Sequence, residues 1–321
     1  MIKCGVIGLG RFGRLHALTL RALENVELVA LVARRQESVD ALTAELPEVR
    51  GYIDVETAIA ESGATAWIVA CTTSEHVLVT RKLLATGHSV LLEKPISDDL
   101  QDAESLADLV NDDSSNLMLG HILLFNSEFK SLRQEAMNRG ALTHLDAVRH
   151  RPASIVRDFA GENPLHAAMV HDLYCAQALT NAEEPRNFSC QYHLTPDGQI
   201  DLANAQLIWP SGVLGRFSAS FMTPTGMPPR GFDRLEVFGD GWSARVSPNP
   251  RPLEIWDSQA QWPLALEIMA DATGATGMMI EEQRCFLRVI SGQQSVPVGA
   301  RYQDGLQVQR WMNELDRVAI R

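Results

Sequence analysis

Short apolar runs alternate with amphipathic stretches along the first 120 residues of the chain. The runs have the composition of strands buried in a parallel sheet, and the stretches between them repeat apolar positions at helical spacing. The predicted strands are Ile2–Ile7, Glu27–Val32, Trp67–Cys71 and Ser89–Leu92, and the predicted helices are Arg14–Leu23, Ser38–Leu46, Asp54–Glu61, Val77–Thr86 and Asp98–Val110. Strands that alternate with helices in this way predict a parallel, doubly wound α/β sheet.

The pattern changes after His121, where strand-like runs come to dominate. The predicted helices are Ser127–Arg139, Leu165–Leu179, Ile280–Ile290 and Tyr302–Val318, and the predicted strands are Thr143–Arg151, Phe188–Leu194, Asp201–Trp209, Val213–Phe221, Asp233–Phe238, Trp242–Val246 and Leu253–Trp256. Turn residues such as those at 196–198 and 239–241 separate the strands, as in an antiparallel meander. We therefore predict two domains, a doubly wound domain at residues 1–121 and an α+β domain with a large, mostly antiparallel open sheet at residues 122–321.

Composition narrows the function classes. The 321 residues are 45% apolar and 21% charged, as in a soluble globular protein. A formal net charge of −12 argues against nonspecific binding to nucleic acid or an anionic membrane. The five cysteines are scattered without a CxxC pair, and neither a signal peptide nor a transmembrane stretch is visible. A cytoplasmic protein with reduced cysteines is expected.

A glycine fingerprint, Gly8-Leu9-Gly10-Arg11-Phe12-Gly13, lies between the first strand and the first helix. In that context Gly8 permits the tight turn, Gly10 lets the backbone approach a pyrophosphate, and Gly13 lets the helix pack close to the strand. The phosphates would then lie at the positive N-terminus of the helix. The plainer interpretation is an ordinary glycine-rich turn, but the context favours an NAD(P)-binding Rossmann domain.

The residues after the second strand bear on the choice of cofactor. NAD-binding folds usually place an acidic residue there to hold the ribose 2′-hydroxyl, whereas this chain has Ala33, Arg34 and Arg35. A guanidinium can bind a 2′-phosphate through paired, charge-assisted hydrogen bonds. Two solvated arginines in a loop would be the plainer interpretation. The missing carboxylate favours NADP, with NAD left open.

Six motifs occur in order across both predicted domains: Gly8–Gly13, Thr72–His76, Glu93-Lys94-Pro95, Gly120–Asn126, His171–Tyr174 and the segment Asp304-Gly305-Leu306. Together and in this order they resemble the Gfo/Idh/MocA family, the glucose–fructose oxidoreductase and inositol dehydrogenase group. The resemblance implies NAD(P)-dependent hydride transfer to or from a carbinol carbon, often in a sugar, cyclitol or related polyol. It also implies that the second domain binds substrate and that its exposed sheet face buries against a partner subunit in a homo-oligomer.

The resemblance implies two catalytic residues. Lys94 would lie beside the nicotinamide and the substrate hydroxyl, and His171 would face the substrate and exchange the hydroxyl proton. A lysine in a partly desolvated cleft is less stabilised as a cation, so it can transfer a proton or polarise a carbonyl. Taken alone, Lys94 would be a solvated lysine at a strand end, and His171 a hydrogen-bonded core histidine.

Binding residues follow from the same motifs. The expected cofactor-binding residues are Gly8, Gly10, Arg11, Phe12, Gly13, Arg34, Arg35, Thr72, Thr73, His76, Glu93 and Lys94, and the expected substrate-binding residues are Lys94, Arg149, Asp172 and Tyr174. Arg149 and Arg151 lie two residues apart and therefore share a strand face, which is either a polar substrate contact or a solvated surface.

The chain departs from the family pattern at Ala167, where polyol-oxidising members often carry an aspartate one turn before the histidine. Without that carboxylate His171 loses a partner for its imidazolium form, and Lys94 would carry more of the proton transfer. Two other hypotheses follow: a nucleotide-binding sensor without turnover, and a related chemistry on the same scaffold, such as NAD-assisted glycoside cleavage or carbonyl or imine reduction. His166, His171 and Asp172 lack the spacing of a zinc pair, so no metal is expected.

Overall fold

The computed structural model describes residues 1–154, 163–224, 231–249, 254–256, 260–261, 269–271 and 274–320. The chain divides into two compact units, one formed by Met1–Phe125 with Leu266–Leu306, the other by Asn126–Ala265 with Gln307–Arg321. The first segment of unit one ends four residues beyond the predicted border after His121. The chain therefore crosses between the units more than once, which a single border in the sequence does not describe.

Unit one contains a six-stranded parallel sheet with the order β3-β2-β1-β4-β5-β6. Its strands are β1 (Ile2–Ile7), β2 (Val26–Val32), β3 (Arg50–Tyr52), β4 (Ala66–Val69), β5 (Ser89–Glu93) and β6 (Leu117–Gly120). Its connecting helices are α1 (Arg11–Arg21), α2 (Gln36–Glu45), α3 (Val55–Glu61), α4 (Thr73–Ala85) and α5 (Leu100–Glu104). The predicted Rossmann sheet is confirmed.

The central strands are apolar because they are covered on both sides. Every residue of β4 is buried, and Trp67 at its centre is fully enclosed. A Cβ on Gly5 of the neighbouring strand would lie 2.3 Å from the Trp67 ring, so the indole occupies the space left by that glycine. This interlocking holds β1 beside β4, and the segments after both strands contribute to the candidate site.

Two predicted helices differ in detail from the prediction. The helix predicted at Asp98–Val110 begins at Leu100, because the Asp99 carboxylate accepts from the backbone N–H of Asp102, and it gives way to a 3₁₀ turn at Ala107–Leu109. The helix predicted at Leu165–Leu179 begins with a π-helical segment, Leu165–Met169, and continues as the α-helix α7 (Val170–Leu179). Helical periodicity alone does not separate these forms.

Unit two contains a mostly antiparallel sheet, and the described strands have the order β14-β13-β12-β11-β7-β10-β9-β8-β17. They are β7 (Leu142–Pro152), β8 (Asn187–Leu194), β9 (Ile200–Ile208), β10 (Leu214–Thr223), β11 (Phe232–Gly239), β12 (Trp242–Asn249), β13 (Glu254–Trp256), β14 (Ala260–Gln261) and β17 (Ala319–Ile320). The predicted antiparallel sheet is confirmed, with parallel pairing only between β7 and β10 and between β8 and β17 among the described strands. Leu253, predicted to begin a strand, lies outside the described residues.

The remaining elements are the helix α6 (Ser127–Arg139), the short strands β15 (Met269–Asp271) and β16 (Gly274–Thr276), and the helices α8 (Met278–Ile290) and α9 (Tyr302–Val318). The predicted bounds of α9 match the structure, and those of α8 differ by two residues at its start. No helix in the described part of the chain is both long and apolar enough to cross a membrane.

Candidate functional site

The glycine fingerprint forms the tight turn between β1 and α1. Gly8 has φ +92°, and a Cβ there would lie 2.3 Å from the backbone nitrogen of Cys71. A Cβ on Gly13 would lie 1.7 Å from the carbonyl oxygen of Gly8. Both positions therefore require glycine to close the turn.

Gly10 differs from both, because a Cβ there would meet no atom within 4 Å. Its backbone is extended, at φ −73° and ψ −167°, where any residue fits, and it caps the N-terminus of α1. The space above Gly10 is thus open at the positive end of a helix, where a pyrophosphate can approach. The residues present fit a dinucleotide.

Two glycine substitutions separate binding from folding. Gly10→Ala should leave the melting temperature unchanged and weaken NAD(P)H binding by about tenfold or more, because the methyl group fills space meant for phosphate. Gly13→Ala should instead destabilise the fold by about 1–3 kcal/mol, because its Cβ collides with backbone. Fluorescence titration and thermal unfolding of the two variants measure these effects. Wild-type affinity in Gly10→Ala would contradict the assignment of this turn to the pyrophosphate.

Arg34 and Arg35, which follow β2 and are predicted to bind the adenosine part of the cofactor, have different surroundings. Arg34 is exposed, and its Nη1 donates to Oε1 of Glu75 on α4 at 3.1 Å. Arg35 caps the start of α2 and lines an open depression of about 450 Å³ that also includes Leu9 of the glycine turn. No carboxylate stands at the end of β2, where Ala33 donates its N–H to the Tyr52 carbonyl. The structure thus places both arginines at the carboxyl edge of the sheet.

His76 links the segments that follow β4 and β5. Its Nδ1 lies 2.8 Å from the carbonyl oxygen of Pro95, and its Nε2 lies 3.2 Å from that of Cys71. Burial lowers the pKa of His76, so the neutral ring has one N–H, and the shorter contact favours donation from Nδ1 to Pro95. His76 therefore positions the turn that contains Lys94. Its direct contact with the cofactor stays a prediction, as does that of Thr72 and Thr73 at the start of α4.

Lys94 directly follows β5 at the carboxyl edge of the sheet, and its peptide bond to Pro95 is cis. It is half-buried, and its backbone N–H lies 3.3 Å from Oε2 of Glu93. Burial lowers the pKa of His121 well below its ordinary value, and the positive charge of Lys94 lowers it further. His121 is hydrogen-bonded to the Gly299 carbonyl at 2.5 Å, which identifies it as a neutral bracing residue.

His171 lies in the first turn of α7, directly after the π-helical segment that contains Ala167. It is half-buried, whereas its neighbours Asp172 and Tyr174 are buried. Short π-helical segments occur often at functional sites. The catalytic role of His171 stays a prediction, and so does a substrate contact by Tyr174.

Arg149 and Asp172 belong to a buried ion network in unit two. Arg149 donates to the two carboxyl oxygens of Asp172 at 2.8 and 3.1 Å and to Asp233 at 2.9 Å, and Arg151 binds Asp233 as well. Burial opposes the Arg149 cation, but the charges of Asp172 and Asp233 raise its pKa above its ordinary value. The network gives Arg149 and Asp172 a structural role that the sequence did not predict, while their substrate contact stays a prediction.

Sequence reasoning also missed a buried group of acidic and imidazole side chains in unit one. His16, Glu93 and Glu282 bring one nitrogen or oxygen atom each to within 4.8 Å of one another. Glu93 had been predicted through its motif, but His16 was hidden in the helical pattern of α1. Glu282 is 189 residues from Glu93 along the chain. Only the packing of α8 against α1 reveals the group.

Comparisons with known proteins identify relatives of this chain. The Gfo/Idh/MocA model, described as an oxidoreductase family with an NAD-binding Rossmann fold, matches residues 2–121. A UDP-N-acetylglucosamine 3-dehydrogenase of Acidithiobacillus ferrooxidans is 28% identical over 222 residues, covering 68% of this chain and 67% of the relative. A myo-inositol 2-dehydrogenase of Thermotoga maritima is 26% identical over 251 residues, covering 74% and 73%.

Solved structures share the fold over nearly the whole chain. The UDP-N-acetylglucosamine 3-dehydrogenase of A. ferrooxidans superimposes with a TM-score of 0.84 at 24% identity, covering 99% of this chain and 97% of that one. A scyllo-inositol dehydrogenase of Lactobacillus casei, solved with NAD(H) and scyllo-inositol, superimposes with a TM-score of 0.81 at 17% identity over the same shares. These likenesses establish the fold.

Proposed function

We propose that this chain, whose residues 2–121 match the Gfo/Idh/MocA oxidoreductase family, is an NAD(P)-dependent dehydrogenase acting on the CH–OH group of a sugar- or cyclitol-like molecule. The observation that carries the proposal is the glycine turn. It closes on itself at Gly8 and Gly13 and leaves open space at Gly10. When bound, the nicotinamide would accept or donate the hydride, and the protein would position the nicotinamide carbon beside the substrate carbon that bears the hydroxyl.

The chain's own residues would bind, orient and move protons. The backbone N–H groups at the start of α1 hold the pyrophosphate, and His76 positions the Lys94–Pro95 turn through the Pro95 carbonyl. Lys94 holds or releases the proton of the substrate hydroxyl, and His171 takes the second proton-exchanging role that the family resemblance implies. Tyr174, Arg149 and Asp172 shape the substrate site, the last two through their buried ion pair.

The relatives support the substrate class. Their names describe dehydrogenases of inositols and of UDP-N-acetylglucosamine, all of which carry ring hydroxyl groups. We therefore propose a ring polyol or a nucleotide-linked sugar as the substrate. A non-catalytic nucleotide sensor is the second candidate, because Ala167 removes the carboxylate that would orient the catalytic histidine.

For the cofactor we propose NADP over NAD. An ion pair as exposed as Arg34–Glu75 is worth at most about 1 kcal/mol, so the guanidinium can exchange Glu75 for a 2′-phosphate. The absence of a carboxylate at Ala33 removes the repulsion that an NAD-selective site would apply.

Arg34→Asp tests this preference. It should weaken NADPH binding by about tenfold or more and change NADH binding much less, because only NADPH presents the phosphate. Arg21→Asp is the matched control, since Arg21 also forms an exposed pair with a glutamate, Glu48. Fluorescence titration with both nucleotides gives the four affinities. Equal loss for NADH and NADPH, or tighter NADH binding by the wild type, would refute the preference.

We also propose that unit two supplies substrate contacts and a homo-oligomer interface. Large apolar side chains stand exposed along its sheet, at Leu194, Leu214, Met222 and Phe238. A cytoplasmic location fits the five cysteines, all of which are free thiols.

A further inference from the structure

Unit one contains a buried cluster, His16, Glu93 and Glu282, directly beside the Lys94 turn. His16 and Glu282 are fully buried, and Glu93 is 8% exposed. The three residues come from α1, β5 and α8, and one ligand-type atom of each lies within 4.8 Å of the others. The cluster therefore joins the helix of the glycine turn, the strand that ends at Lys94, and the helix that returns to unit one.

Gln283 determines which ring nitrogen of His16 carries the proton. Its Nε2 lies 3.1 Å from Nδ1 of His16 and 3.0 Å from the carbonyl oxygen of the same residue. The opposite orientation of the amide would bring its oxygen against that carbonyl oxygen, which is repulsive. Nδ1 therefore accepts a hydrogen bond, and the ring proton lies on Nε2.

The Nε2–H of His16 then donates to Oε1 of Glu93 at 2.9 Å. The other carboxyl oxygen of Glu93 faces the backbone N–H of Lys94 at 3.3 Å. Both oxygens of Glu93 thus face N–H donors, which is the environment of an ionised carboxylate. Glu93 holds the negative charge of the cluster and is fixed on both sides.

Glu282 has no such donors. Neither of its carboxyl oxygens has a hydrogen-bond partner among the described residues, although the side chain is fully buried. Burial raises the pKa of Glu282 well above its ordinary value, and the charge of Glu93 raises it further. The segments packed on α8 contribute His16 from α1 and no titratable residue from Ile122–Phe125 or Gly274–Thr276.

We propose that Glu282 is a positioning residue that keeps its proton at neutral pH and, as a neutral carboxylic acid, directs its O–H toward the Glu93 carboxylate, which lies within 4.8 Å. The retained proton removes the repulsion between two buried carboxylates and so stabilises the strand end that precedes Lys94. Its effect on turnover rests on the proposed function, whereas the protonation of Glu282 does not.

A metal ion at the same three residues would require a different arrangement. A neutral histidine that binds a metal through Nε2 carries its proton on Nδ1 and needs an acceptor there. The group beside Nδ1 of His16 is instead the side-chain NH₂ of Gln283, which is a hydrogen-bond donor. The geometry therefore favours a proton between the carboxyl groups.

Glu282→Gln tests the protonation, because the amide keeps a donor toward Glu93 and cannot ionise. A folded-state pKa above the unfolded value stabilises the wild type only at low pH, and that stability declines as pH rises toward the raised pKa. The quantity to follow is the ratio of the unfolding equilibrium constant of the wild type to that of Glu282→Gln. Above about pH 5, this ratio should rise by up to about tenfold per pH unit. Urea unfolding of both proteins across pH measures this ratio. Glu281→Gln, on a half-exposed neighbour in the same helix, is the control and should show no such rise.

Other outcomes would overturn the proposal. A pH-independent ratio would mean that Glu282 does not keep a proton. A metal site would be revealed by two results together: Glu282→Gln is less stable than the wild type by the same amount at every pH, and a chelator destabilises the wild type. The positioning role predicts that Glu282→Leu, which has no donor, lowers kcat by about tenfold at unchanged KM while Glu282→Gln keeps it; equal kcat in both would refute that role. If the wild type turns over no substrate, the proposed function fails, and the unfolding ratio still decides the protonation.

Discussion

Replacing Lys94 with alanine is expected to lower kcat by about 10³-fold and to leave the affinity for NAD(P)H within a few-fold of the wild type. The residue directly follows β5, while the pyrophosphate would be held by backbone groups at the start of α1. Loss of its amine therefore removes the proposed proton-transferring group and preserves the backbone turn proposed to hold the phosphates. Steady-state assays and fluorescence titration give the two quantities separately.

Lys82→Ala is the matched control for this substitution. Lys82 lies in the last turn of α4 and forms an exposed ion pair with Glu56. Its loss should change neither kcat nor affinity, because exposed pairs contribute about 1 kcal/mol or less to stability. Wild-type turnover by Lys94→Ala would show that proton transfer is carried by another group, of which His171 is the first to examine.

Replacing Arg149 with methionine is expected to destabilise unit two by about 3–5 kcal/mol, because it leaves a buried carboxylate without its cation. Asp172 receives hydrogen bonds from Arg149 at 2.8 and 3.1 Å and is almost completely buried. Asp233 keeps a second partner in Arg151, so Asp172 accounts for most of the loss. Urea unfolding of the wild type and the variant measures the difference.

The control for Arg149 is Arg317→Met, which breaks an ion pair with Glu314 in which the arginine is largely exposed. That change should cost about 1 kcal/mol or less. Combining Arg149→Met with Asp172→Leu should recover much of the stability, since no uncompensated charge remains. A single variant as stable as the wild type would show that Arg149 does not hold Asp172 in the folded protein.

The features predicted from the sequence depend on neighbouring residues. The glycine turn could be identified because Gly8, Gly10 and Gly13 lie directly between a strand and a helix. Lys94 could be placed at a strand end because the apolar run 89–92 stops just before it. Such signals extend over a few residues, where backbone geometry follows local sequence closely.

The features that were missed depend on residues far apart in the chain. Arg149 and Asp233 are 84 residues apart, and Gln283 and His16 are 267 apart. No periodicity links such positions, so the buried ion network and the cluster around Glu282 emerge only from packing. The same holds for residues 266–306, which follow the strands of unit two in sequence and belong to unit one.

A dehydrogenase, unlike a nucleotide sensor, must reduce or oxidise its bound nicotinamide. The most direct measurement follows the reduced-nicotinamide absorbance band while the wild type and Lys94→Ala are each incubated with NADP or NAD and a panel of inositols, sugars and UDP-N-acetylglucosamine. We expect the band to grow with at least one CH–OH substrate in the wild type and to stay near background in the variant. Tight binding of both nucleotides without absorbance change across the panel would contradict dehydrogenase activity.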